Sequence, residues 1–270
     1  MKRALTLSTI LLLSIAGALT AHDLFLKPAA FFVTPGSSVN VRVLNGTFTT
    51  SENSVSRDRL RDLSLLGPLG RTMLDTTMWD TTGTASSISL RTSEAGTYML
   101  AASLRTREIK LEAKEFNEYL ASDGVNDVLA ARRRSGETGL AARERYSKHV
   151  KALIQVGAER TDGFDTVLGY PAELVPLDNP YSMRTGRILR VRALTDGSPV
   201  PNQIVIAGGR TPSGSRIRPQ TVRTDADGTA RVRISSRGAW YVKFINMQRA
   251  RGDTTIDYES KWATLTFGVR

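Results

Sequence analysis

Residues 34–47, TPGSSVNVRVLNGT, open on a Pro35-Gly36 turn and then alternate strictly, with Val39, Val41 and Val43 on one side and Ser38, Asn40 and Arg42 on the other. Period-two alternation with β-branched residues predicts a half-buried strand. Residues 184–197 repeat the plan: Gly186 takes the place of Gly36, and Leu189, Val191 and Ala193 turn inward. A second echo links Ser93-Glu94-Ala95-Gly96-Thr97-Tyr98 to Ser235-Ser236-Arg237-Gly238-Ala239-Trp240, each at the start of a predicted strand. The offsets of 150 and 142 residues fit two diverged copies of one module.

Between the two β-rich halves the period changes. Residues 112–134 carry Phe116, Tyr119 and Leu120, then Val125, Val128 and Leu129, at helical spacing. Gly124 divides or kinks the stretch, and Arg132-Arg133-Arg134 suits a helix C-terminus. Residues 140–156 set Tyr146, Val150 and Leu153 on one stripe and predict a second helix. Further short strands near 187–194, 203–207, 219–224, 231–234, 240–245 and 262–269 are separated by turn signals such as Thr224-Asp225-Ala226-Asp227-Gly228. The fold expected is mainly β: two β-sandwich modules of immunoglobulin-like or transthyretin-like type over 22–108 and 161–270, joined by a helical hairpin over 109–160.

Residues 1–21 stand apart. Lys2 and Arg3, an apolar run through Leu11-Leu12-Leu13 and a small-residue end have the layout of a secretory leader, with cleavage after Ala18 or Ala21. No other apolar run nears the roughly 20 residues of a membrane span, so a periplasmic or secreted product is expected. The chain has no cysteine, which removes disulfides, thiolate metal sites and cysteine nucleophiles. Its net charge is +11, or +9 once Lys2 and Arg3 leave with the leader. The arginines are spread through every segment rather than gathered with aromatics, which argues against a nucleic-acid partner.

Candidate chemistry is sparse. Only two histidines occur, and cleavage after Ala21 would make His22 the first residue, offering a metal both its α-amine and its ring. With His149 nearby, three nitrogens would suit nickel, cobalt or copper. Asp257 and Glu259 share one strand face, with Lys261 following, and offer either a cation site or a salt-bridge ladder. Glu173, between Tyr170-Pro171 and Val175-Pro176, is placed to cap backbone donors in an irregular segment. Asp225 and Asp227 are expected to hold their own turn. Neither a serine–histidine–carboxylate set nor a phosphate-binding loop is present in convincing form.

These residues carry a resemblance. Ala21-His22-Asp23-Leu24-Phe25-Leu26, the segment 143–151, Glu173–Pro180, the 224–228 turn and the end 257–267 together resemble, in order, a bacterial secreted family often labelled nickel-uptake-transporter-like. The likeness implies an association with metal uptake and no agreed reaction. Where that family often carries a histidine after the Trp240 strand, this chain has Asn246 before Met247, which weakens a family-wide histidine cluster here.

Three functions are open on these grounds. The first is an exported, non-enzymatic binding protein holding a divalent nickel, cobalt or copper ion through His22, His149, Asp257 and Glu259 and serving a membrane transporter. The second is a metal-independent recognition module for an envelope polymer or protein. The third is a copper oxidase using the terminal histidine.

Overall fold

The computed structural model describes residues 22–270; the expected leader, 1–21, lies outside the described residues. Among the described residues the chain is mainly β, folded as three sheets with two short α-helices. A ten-stranded sheet forms the middle. From one edge it runs Arg216–Arg223, Ile204–Arg210, Gly238–Arg249, Tyr258–Val269, Ala142–Val156, Gly96–Leu104, Leu60–Gly67 and Gly70–Met73; two short strands, Phe32–Val33 and Arg107–Leu111, also pair with Ala142–Val156. A four-stranded sheet of Asp23–Pro28, Ser38–Gly46, Ser86–Arg91 and Trp79–Asp80 covers part of one face. Another, of Ala172–Pro176, Ile188–Thr195, Ser198–Pro199 and Thr229–Arg233, covers part of the other.

Each small sheet closes a core against the large one. Leu24, Leu26, Val41, Val43, Trp79 and Ile88 meet Leu100, Ala102, Val150, Ala152 and Ile154 on one face. Leu174, Leu189, Val191 and Val232 meet Leu153, Trp240, Val242, Leu265 and Phe267 on the other. The echoed segments take equivalent places. Ser38–Gly46 and Ile188–Thr195 are inner strands of the two small sheets, while Gly96 and Gly238 each open a strand of the large one.

One expectation is corrected. Residues 140–156 do not form a helix; Ala142–Val156 is a 15-residue strand at the centre of the large sheet. It runs parallel to Tyr258–Val269, with Glu144 opposite Tyr258 and Ala152 opposite Thr266. Val150, Ala152 and Ile154 face one core and Leu153 the other. A strand covered on both faces loses the alternation that betrays half-buried strands, and the Tyr146–Val150–Leu153 spacing imitated a helix. The two halves are therefore joined through a shared sheet. The helical pair lies wholly within the first predicted helix, as Ala113–Ser122 and Asn126–Arg134. A reciprocal Glu112–Glu115 capping box starts it. Gly124 divides it with φ +78°, where a Cβ would also sit 2.6 Å from the Ile206 side chain. Phe116, Tyr119, Leu120 and Leu129 pack on Met247, Tyr258 and Trp262 of the sheet.

Candidate functional site

His22 is fixed where the first described strand meets the large sheet. Thr264 and Thr266 donate from Oγ1 to the Leu24 and Leu26 carbonyls, at 2.7 and 2.6 Å, and anchor Asp23–Pro28. The Lys148 ammonium donates to the His22 carbonyl and also contacts Asn45 Oδ1 at 3.5 Å and the Trp262 ring at 4.9 Å. Lys243 binds the Asp23 carboxylate and also Asp123 Oδ1, at 3.0 Å. The imidazole is only 15 % exposed, with Nε2 2.9 Å from Glu52 Oε2. Glu52 reaches it because its own N–H donates to the Asn45 carbonyl, at 3.0 Å. That turn requires Gly46, since a Cβ there would meet the Thr50 carbonyl at 2.6 Å.

His22, Asp23, Glu52, Asp123 and Lys243 line a pocket of about 500 Å³ with an aromatic wall of Phe25, Phe48 and Tyr241. The three rings touch at centroid distances of 5.1–5.4 Å. Burial, reinforced by Lys148 and opposed by Glu52 and Asp23, lowers the His22 pKa and favours a neutral ring. Burial, with the like charge of Asp23 adding to it, also raises Asp123 to about 6 against the pull of Lys243. Lys243 stays above its ordinary value: the two carboxylates outweigh its burial. Asp23 Oδ1 is buried with no hydrogen-bond partner among the described residues.

On the same central strand as Lys148, Glu144 accepts at Oε1 from the Tyr119 hydroxyl at 3.1 Å and from Ser260. Its Oε2 is buried and unpaired among the described residues, and burial pushes the carboxyl up to about 7. The folded chain thus holds this proton more tightly than the unfolded chain, so the associated stability is intact below the ordinary 4.5 and fades as pH rises through about 7. Glu144→Gln removes that dependence. Between pH 5 and 8 its stability relative to the parent should rise by about 2.5 kcal/mol, measured by urea denaturation at each pH.

His149 lies elsewhere. Neighbouring strand residues point to opposite faces. Lys148 reaches His22, so His149 projects into the other side of the sheet, and the two histidines are not brought together. Its Nδ1 is 2.9 Å from Ser103 Oγ and its Nε2 3.0 Å from Ser147 Oγ. Burial, with Arg61 and Lys261 acting in the same direction, lowers it to about 3. The expected three-nitrogen site is therefore corrected to His22 alone, His149 being a neutral, hydroxyl-bonded side chain.

Asp257 and Glu259 are also corrected as ligands. Asp257 accepts from the Arg143 N–H at 2.7 Å and pairs with its guanidinium at 3.2 Å. Glu259 pairs with Arg145 at 3.5 Å, which also holds Glu108 at 2.7 Å and Asp253 at 2.9 Å. Arginines occupy the place of the cation, giving the salt-bridge ladder. Glu173 and the 224–228 turn are as expected: Glu173 accepts from the Leu168 and Tyr170 N–H groups at 2.9 and 2.8 Å, and Asp225 from Asp227 and Thr229 at 3.1 and 2.9 Å. Asn246 donates to Gln203 Oε1 at 3.0 Å. Among the described residues no three histidine, aspartate or glutamate side chains are grouped to hold a metal ion. Glu52, Asp123, Lys148 and Lys243 were not singled out in the sequence, and none stands in a local pattern that marks it.

A three-sheet β chain with a polar pocket at His22 is the class these features define. The chain belongs to the family described as a domain of unknown function, DUF4198, whose model matches residues 19–248. Among solved structures it is similar to a DUF4785 family protein from Legionella pneumophila, at 9% identity and TM-score 0.24, over 81% of this chain and 49% of that one. It thus spans about half the length of that protein. It is also similar to a two-domain fibronectin type-III segment of chicken tenascin, at 13% identity and TM-score 0.22, over 92% of this chain and 99% of that one. Neither likeness bears on function. No curated protein matches the sequence.

Proposed function

We propose that the protein is an exported, non-enzymatic binding protein that takes a divalent transition-metal ion at His22 and serves its uptake. On this reading each small sheet, facing half of the large one, makes an immunoglobulin-like or transthyretin-like module, and export removes residues 1–21. The observation that carries the proposal is the 2.9 Å contact between His22 Nε2 and Glu52. In a neutral ring the carboxylate holds the proton on Nε2 and leaves Nδ1 as the basic nitrogen. Nδ1 is the nitrogen that closes a chelate with the α-amine of the same residue. A carboxylate behind the non-ligating nitrogen is the usual support of a metal-bound histidine. Nickel, cobalt and copper suit an amine–imidazole pair.

Mass spectrometry of the exported chain locates its first residue, and calorimetric titration of that chain with Ni²⁺, Co²⁺ and Cu²⁺ tests the site. One equivalent on a chain beginning at His22 is expected. No binding by that chain overturns the proposal and leaves the metal-independent recognition module. Glu52→Gln should weaken binding by about 10–100-fold without changing the stoichiometry, read in the same titration.

A further inference from the structure

The face of the large sheet away from His22 holds a second pocket, of about 570 Å³, lined by Arg61, Arg105, Lys261, Ser147, His149 and Asp196 among others. Its charge is unbalanced. Asp196 is engaged by Lys261, while the Arg61 and Arg105 guanidiniums have no acidic partner among the described residues. Leaving His149 neutral, three cations face one carboxylate there.

Two local features aim these groups. Leu60 pairs with Leu104 and Asp62 with Ser103, so Arg61 is the extra residue of a β-bulge. Bulges re-aim a side chain out of the regular alternation and are common beside functional sites. The floor also carries a hydrogen-bond chain whose direction follows the His149 tautomer. A neutral His149 between Ser103 and Ser147 accepts one hydroxyl proton and donates its own N–H to the other serine. The serine that receives the ring N–H keeps its own O–H to donate onward. Ser147 lines this pocket, and it is this serine when the ring proton sits on Nε2.

We infer that this pocket binds a small oxyanion, a phosphate or carboxylate group, held by Arg61, Arg105 and Lys261 with the Ser147 hydroxyl as a neutral donor. Guanidinium pairs recognise such groups through two parallel N–H bonds. The site is separate from His22 and does not depend on the metal reading.

With two histidines in the chain, His149 is its own reporter. Its ring nitrogens are followed by long-range ¹H–¹⁵N correlation in chelator-treated protein, assigned with His149→Gln, while inorganic phosphate or succinate is added at constant ionic strength. A saturable His149 shift is expected with a Kd below about 1 mM, with the His22 resonance not following it. Response to phosphate alone assigns a phosphoryl ligand; response to succinate assigns a carboxylate. In Arg61→Ala/Arg105→Ala, both on exposed positions, affinity should fall at least about tenfold, with circular dichroism confirming the fold. No saturable shift with either anion overturns the inference. So does an unchanged Kd in the double variant, or the same shift produced by sodium chloride.

Discussion

Glu173→Ala is expected to lower the unfolding free energy by about 3–5 kcal/mol, the largest effect of any single substitution considered. Glu173 Oε2 lies 2.6 Å from Lys151 Nζ, and both side chains are almost wholly buried, at 1 and 2% exposure. Burial pulls the Lys151 pKa down, and Glu173 is what opposes it. Truncation strands an ammonium in the core with one remaining acceptor, the Thr166 carbonyl at 3.2 Å. It also strips the Leu168 and Tyr170 N–H groups of their carboxylate. At about 2–4 °C per kcal/mol for a chain of this size, the melting temperature should fall by about 10 °C. Lys151→Met should cost less, because Glu173 keeps both backbone donors. Denaturant midpoints of the two variants check the asymmetry; equal losses would show that the backbone bonds contribute little.

His22→Ala carries the largest functional effect expected. If the α-amine and Nδ1 close one chelate, the imidazole cannot be replaced by any neighbouring histidine, since His149 lies across the sheet. Affinity for Ni²⁺ or Cu²⁺ should fall by at least about 100-fold, about 2.7 kcal/mol, whereas His149→Gln should leave it unchanged. The strand anchors at Thr264 and Thr266 act on Leu24 and Leu26, so the fold should survive the change. Calorimetric titration of both variants reads the contrast directly.

The sequence makes plain what one-sided burial writes into it. Ser38–Gly46 and Ile188–Thr195 alternate because one face meets a core and the other meets water. The proline-flanked Glu173 and the Asp225 turn were legible because each solves a local backbone problem. The central strand was not. Glu144, Lys148 and Lys151 look like the wet face of a helix and His149 like a neighbour of its apolar stripe, and all four are buried. Their partners lie far along the chain: Ser260 for Glu144, His22 for Lys148, Ser103 for His149 and Glu173 for Lys151. Local periodicity holds no record of such pairings. The candidate site divides the same way. His22 stands out through its place beside the expected leader, but Glu52 and Lys243 join it only through the turn at Gly46 and the register of the large sheet.

The decisive comparison is between the chain beginning at His22 and the same chain beginning one residue earlier, at Ala21. The extension keeps the imidazole, Glu52 and the whole pocket but converts the α-amine into a peptide nitrogen. The expected result is one equivalent of Ni²⁺ or Cu²⁺ on the first chain and affinity weaker by at least about 100-fold on the second. Equal affinity for the two chains contradicts a terminal-histidine chelate.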